Sequence, residues 1–121
     1  MAKSVVLIED DLDLQRIYSA KIESIGYKVF LSVDATNGLQ FIRSEKPNLI
    51  LLDIMLPGKM NGFELLKYLK EDNTFKNIPV IVLTNLDTEK EEAMKIGAVD
   101  YIIKANTNLN EIVEKIEKYS R

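Results

Sequence analysis

The chain contains no histidine and no cysteine. The first absence excludes imidazole catalysis, histidine ligation of zinc and a phosphohistidine carried on this chain. The second excludes a disulfide framework and any thiolate metal site, so the compartment has to be judged from other signs. No apolar run approaches membrane-spanning length, and no apolar signal core follows the opening MAKS, so a cytoplasmic protein without membrane insertion is expected. Positive charge is not in excess either. The 16 Lys and Arg face 19 Asp and Glu, a formal charge of −3 that leaves no electrostatic footprint for direct nucleic-acid binding. The remaining composition, 46% hydrophobic and 29% charged, is that of an ordinary globular protein. At 121 residues the chain is expected to form one domain, residues 1–121, with a core of its own.

Short aliphatic, β-branched runs alternate with helical patterns along the whole length. The strand-like runs are Ser4 to Glu9, Tyr27 to Ser32, Asn48 to Asp53, Pro79 to Thr84 and Asp100 to Lys104. The central ones are apolar almost throughout, as strands buried on both faces are. The first helical pattern places Leu14, Ile17, Tyr18, Ile22 and Ile25 on one stripe, with Gly26 where a helix would stop. Ala35 to Glu45, Gly62 to Asp72 and Thr88 to Ile96 supply three more helices. A fifth, Leu109 to Tyr119, carries Leu109, Ile112, Val113 and Ile116 on one face, with Asn108 and Glu111 as a capping pair. Five βα units imply an α/β fold: a parallel sheet with helices on both faces and right-handed crossovers. No linker, low-complexity segment or internal repeat beyond the βα unit interrupts the pattern, and no output domain is expected after the fifth helix.

Polar groups gather at the downstream ends of these strands. Glu9 and Asp10 follow the first, Asp53 the third, Thr84 the fourth and Lys104 the fifth, and in an open parallel sheet these ends share one edge. An anion-binding strand end normally runs into Gly, Ser or Thr, so acids at two strand ends point instead to a bound cation with a reactive carboxylate beside it. Carboxylate clusters hold Mg²⁺ through oxygen, and such an ion commonly bridges to a phosphoryl group. A carboxylate can itself take a phosphoryl group as an acyl phosphate, and Asp53 is singled out by lying between the acid pair and the Thr84–Lys104 pair. Thr84 offers a hydroxyl donor, and Lys104 a compact charge for the equatorial oxygens. Bland roles compete with each assignment. Asp11, and Asp10 beside it, could be helix caps, and for Asp11 the cap is preferred. Asp53 precedes Ile-Met-Leu-Pro, which is a poor helix start. Thr84 and Lys104 taken singly are uninformative, and Tyr101 reads as a partly buried aromatic on the last strand.

The stretches VVLIEDD, PNLILLDIMLPG, NGFELLKYLK, IPVIVLTN and GAVDYIIK, in this order and at strand-end spacing, closely resemble the receiver domain of two-component response regulators, of the stand-alone single-domain type. The resemblance covers essentially the whole chain. It implies a flavodoxin-like (βα)5 fold, a five-stranded parallel sheet of order 2-1-3-4-5. It further implies that Asp53 is phosphorylated from the phosphohistidine of a sensor histidine kinase or histidine phosphotransfer protein. By the same match Asp10 and Asp53 would ligate Mg²⁺ directly, or Mn²⁺ in its place, Glu9 would do so through water, and the backbone carbonyl of Met55 would add an oxygen. Thr84 and Lys104 would contact the phosphoryl group, and Thr84 with Tyr101 would form the switch that reshapes the face of the fourth helix, fifth strand and fifth helix for a downstream protein. Such a chain is a phosphoacceptor with self-catalysed transfer and slow autodephosphorylation, not a turnover enzyme.

Three positions depart from the family pattern. Ala105 replaces the usual proline after the site lysine, and since a cis bond to a non-proline residue costs about 2.5–4 kcal/mol, a trans Lys104–Ala105 peptide is predicted. The loop Pro57 to Gly62 is one residue longer than the common spacing. Asn85 stands where many members carry Ala or Gly, and its bulk is expected to narrow access to an acyl phosphate. Other classes fit less well. A receiver-like module that binds partners without phosphorylation has no need of the intact acid pair, Asp53, Thr84 and Lys104. A haloacid-dehalogenase-type phosphatase wants a second Asp where Met55 stands, and Glu9-Asp10-Asp11 would repel the phosphate of a flavin.

Overall fold

Five runs of four or five residues, nearly all aliphatic, form the strands: β1 (Ser4–Ile8), β2 (Lys28–Ser32), β3 (Leu49–Asp53), β4 (Val80–Thr84) and β5 (Asp100–Ile103). The helices between and after them are α1 (Leu12–Ser24), α2 (Ala35–Glu45), α3 (Gly62–Glu71), α4 (Asp87–Ile96) and α5 (Leu109–Tyr119). This computed structural model describes residues 3–85, 87–105 and 107–120, with Asp87 described by its backbone only. All strand pairs are parallel and the order is β2-β1-β3-β4-β5, the flavodoxin-like arrangement. Every residue of β3 and β4 is buried, which accounts for their unbroken apolar sequences. β2, at one edge of the sheet, is half-exposed, and Leu31 lies open to solvent.

Strand alternation divides the core in two. Val6, Ile8, Ile50, Leu52, Val80 and Val82 face α2, α3 and α4, where Leu39, Ile42, Leu65, Leu66, Leu69 and Ala93 meet them. Val5, Leu7, Leu49, Leu51, Ile81, Leu83 and Ile102 face α1 and α5, against Tyr18, Ile22, Ile112 and Ile116. Each fully buried aliphatic side chain contributes about 1.5–3 kcal/mol by leaving water, so both layers are needed to offset the ordering of a chain this short.

The strands and helices fall where the sequence places them, with small corrections at the ends. Glu9, Tyr27, Asn48, Pro79 and Lys104 lie just outside the strands, although Glu9 N–H still donates to Ser32 O at 3.0 Å and Lys104 N–H to Thr84 O at 2.9 Å. Asp72 is the C-cap of α3, not its last residue, and α4 begins one residue earlier than Thr88. The stripe of α1 needs a larger correction. Ile17 is 49% exposed, and the buried face is Gln15, Tyr18, Ser19 and Ile22, a clean i, i+3, i+4, i+7 series with two polar members. Hydrophobicity alone missed them because Ser19 Oγ donates to Arg16 O and Gln15 bonds backbone carbonyls, so neither polar group is stranded.

Caps set the helix starts. Asp11 accepts from the N–H groups of Asp13 and Leu14, the capping role expected of it, and Asn108 accepts from Glu111 N–H. At α3 the capping box is reciprocal: Asn61 Oδ1 takes Glu64 N–H at 2.9 Å while Glu64 Oε1 takes Asn61 N–H at 3.0 Å. Gly26 follows the C-cap of α1 with φ +94°, a left-handed conformation that ends the helix. Gly62 is required for a different reason. The first turn of α3 presses against the end of β3, Gly62 N–H donates to Ile54 O, and a Cβ at Gly62 would stand 2.3 Å from Asp53 O and 2.5 Å from Ile54 Cα. Both obstacles are backbone. Gly62→Ala is therefore expected to destabilise the fold by about 1–3 kcal/mol in urea denaturation, and an unchanged midpoint would contradict this packing.

Candidate phosphoryl-acceptor site

Parallel register brings the ends of β1, β3 and β4 to one edge, and β5 delivers Lys104 beside them. Glu9 is wholly buried. Its Oε2 accepts from Asp11 N–H at 3.0 Å, and its Oε1 lies 2.6 Å from Lys104 Nζ without the alignment of a hydrogen bond. Asp53, 3% exposed, accepts from Met55 N–H through Oδ1 at 3.0 Å and from Lys104 Nζ through Oδ2 at 2.9 Å. Asp10 is exposed, but one of its carboxylate oxygens lies with oxygens of Glu9 and Asp53 inside a group that spans no more than 4.8 Å.

One ammonium thus faces two buried carboxylates, with a third acid at the rim. Burial foremost, then the neighbouring Asp53, pushes the Glu9 carboxyl up to about 7, against the opposing pull of Lys104. Lys104 shows the complementary balance. Burial disfavours its charge, yet its close ion pairs with the Glu9 and Asp53 carboxylates prevail and hold its pKa above the usual lysine range. The Lys104–Ala105 peptide is trans, as the absence of proline predicts.

The donor set suits a hard divalent cation. It consists of three carboxylates with no nitrogen or sulfur ligand, and Glu9 Oε1 is a buried oxygen lacking an aligned donor. Met55, whose carbonyl was expected to join the set, follows one residue beyond Ile54, with its side chain 62% exposed and its N–H on Asp53.

The remaining expected residues occupy a second, adjoining cluster. Thr84 is 1% exposed and its hydroxyl donates to Glu89 of α4. Tyr101 is half-buried on β5, where it pairs in register with Val82, and its hydroxyl accepts from Lys90 Nζ at 3.1 Å. Asn85 is exposed immediately after Thr84. Gln15 was not foreseen as part of the site. From α1 its Nε2 donates to Glu9 O at 3.2 Å and Ser32 O at 3.0 Å, locking the turn that carries Glu9 and Asp10 against the end of β2. A buried amide five residues after the second acid was the available signal. Glu89 offered none, since its reach to Thr84 depends on the path of the loop between β4 and α4.

This combination of fold and strand-end groups defines a class: the chain belongs to the response regulator receiver domain family, whose model matches residues 5–117. Among curated relatives it is 32% identical over 120 residues to the polar-differentiation response regulator DivK of Brucella anthropi, covering 98% of this chain and 97% of that one. It is 31% identical over 104 residues to the probable transcriptional regulator ycf27 of Cyanophora paradoxa, covering 84% of this chain but 42% of the relative's length. A putative response regulator from Chloroflexus aurantiacus has the same fold, with a TM-score of 0.93, 23% identity and coverage of 99% and 98% of the two chains.

The electrostatics generate a pH dependence in the absence of divalent cations. A Glu9 carboxyl raised from 4.5 to about 7 means that the folded state holds its proton more tightly than the unfolded state. The resulting stabilisation is full below about pH 4.5 and is lost as pH rises through about 7. Asp53→Asn removes one source of the shift. In EDTA, urea melts between pH 5 and 8 should show a shallower loss for this variant, whereas identical slopes would contradict the coupling.

Proposed function

We propose that the protein is a phosphorylation switch of a two-component system, with Asp53 as the phosphoacceptor and a partner's phosphohistidine as the donor. The observation that carries this reading is the buried Asp53 carboxylate, its Oδ2 fixed by Lys104 and its Oδ1 by Met55 N–H, inside an oxygen cluster shared with Glu9 and Asp10. A carboxylate oxygen of Asp53 attacks phosphorus. The P–N bond of the donor breaks, its electron pair returns to the imidazole nitrogen, and that nitrogen takes up a proton. Lys104, already within 2.9 Å of Asp53, stays to compensate charge on the transferred oxygens. Thr84 supplies a hydroxyl from the neighbouring strand end.

Glu9, Asp10, Asp53 and the carbonyl of Met55 are the groups that would hold Mg²⁺, or Mn²⁺ in its place. When bound, the ion neutralises charge on the phosphoryl oxygens and the acids. The membership of the family and the all-oxygen donor set support this assignment. The chain is an acceptor reset by slow hydrolysis of its own acyl phosphate, and no turnover of an external substrate is assigned to it. Its output is a changed face of α4, β5 and α5 read by a downstream protein, through Thr84 and Tyr101. We assign the protein to the cytoplasm, where its proposed phosphodonor acts; no helix among the described residues is long and apolar enough to cross a membrane.

Intact-mass spectrometry after incubation with Mg²⁺ and a small phosphodonor tests the reading. Wild type should gain one phosphoryl group and Asp53→Asn none. Equal gain in both, or no gain in either, would contradict it and leave the phosphorylation-independent binding module. Asn85→Ala should open the exposed flank of the site. Acyl-phosphate formation and loss should each be faster than in wild type, and slower exchange in the variant would reject the role of Asn85.

A further inference from the structure

Two successive residues in the first turn of α4 hold the two groups on which the switch depends. Glu89 accepts the hydroxyl proton of Thr84. Lys90 donates to the Tyr101 hydroxyl at 3.1 Å and lies 4.4 Å from the centre of its ring. Lys115 of α5 lies 4.9 Å from the centre of the same ring but is tied to the backbone and the strand end, donating to Tyr101 O at 2.6 Å and Asp100 Oδ1 at 3.3 Å. Lys115 therefore fixes the strand, while Lys90 fixes the ring.

The helix that carries both contacts is lightly anchored. Ala93 is its one fully buried side chain among those described, whereas α3 buries Leu65, Leu66 and Leu69, and α5 buries Ile112 and Ile116. Ala93 and the half-buried Ile96 remove less apolar area from water than the leucine and isoleucine rows of α3 and α5, so polar contacts weigh more in setting where α4 rests. A phosphoryl group on Asp53 that recruits the Thr84 hydroxyl has to take it from Glu89. Once that bond breaks, the turn carrying Lys90 loses its tether to the end of β4.

We propose that Glu89 and Lys90 are positioning residues that form a two-point latch, holding Thr84 and Tyr101 in the resting arrangement and coupling the two through the first turn of α4. The proposal deepens the switch reading above and rests on it. Glu89 sets how much a phosphoryl group must offer to win the Thr84 hydroxyl, and Lys90 carries the release of that bond to the aromatic ring. Each bond is a charge-assisted contact within partly buried surroundings, and losing either acceptor or cation shifts the balance toward the released state.

The first arm of the test needs no phosphoryl chemistry. NMR signals of the Thr84 methyl and the Tyr101 ring are compared in the unliganded full chain for wild type, Glu89→Ala, Glu89→Gln, Lys90→Met and Lys90→Arg. Glu89→Ala is expected to move the Tyr101 signals, which it does not touch, as well as those of Thr84, and Lys90→Met to move both in the same sense. Glu89→Gln keeps an acceptor oxygen and Lys90→Arg keeps a cation, so both should remain close to wild type. If Glu89→Ala alters Thr84 alone, or neither group, the coupling is overturned. The second arm measures binding of beryllofluoride, a phosphoryl mimic, with Mg²⁺. Glu89→Ala should bind about tenfold tighter than wild type and Lys90→Met about threefold tighter, and unchanged or weaker binding would overturn the latch. If wild type binds no beryllofluoride, or Asp53→Asn binds it equally, the phosphoacceptor reading fails instead, and the first arm still decides the latch.

Discussion

The ammonium of Lys104, held 2.6 Å from Glu9 and 2.9 Å from Asp53, is the contact on which the site depends. It joins residues that are 44 and 51 positions apart from their neighbours in the cluster, and only a parallel sheet with its central strands in register puts their ends together. Two carboxylates in a buried site cannot both be satisfied by one cation. Glu9 answers by favouring its protonated form, and Lys104 by holding its proton more tightly. The edge of the sheet thus sets three carboxylates about one ammonium, the charge imbalance on which the proposed cation and phosphoryl group rest.

The surrounding structure keeps this arrangement rigid on three sides. Gln15 clamps the β1 turn to β2, the Asn61–Glu64 box and the close seat of Gly62 fix the β3 exit, and Lys104 N–H continues the ladder beyond Thr84. The fourth side is different. Among the described residues, α4 buries Ala93 fully and Ile96 in part, and its first turn makes polar contacts to Thr84 and Tyr101. A rigid charge centre beside a lightly held helix is a physical basis for turning a local change in charge into a change of surface.

Much of this was legible from residue order alone, because buried parallel strands announce themselves as unbroken aliphatic runs and the polar residue that ends each run marks the sheet edge. Asp53, Thr84 and Lys104 were readable for that reason, as was the capping role of Asp11. The buried face of α1 was misread at Ile17 because its true members include Gln15 and Ser19, whose polar groups bond the backbone, so that burial and hydrophobicity part company. The hold of Glu89 on Thr84 and of Lys90 on Tyr101 had no local sequence signal. Those contacts arise from where the loop after β4 sets down α4, a tertiary fact to which charge alternation in a solvated helix gives no clue.

The account turns on which oxygen receives the phosphoryl group. Borohydride reduction of the chain after exposure to Mg²⁺ and a phosphodonor, followed by peptide mass spectrometry, converts an acyl-phosphate aspartate to homoserine at the modified position. The account predicts homoserine at Asp53 and nowhere else, dependent on the divalent cation. Homoserine at Asp10, a reduced Glu9, or no conversion at any acid would contradict it.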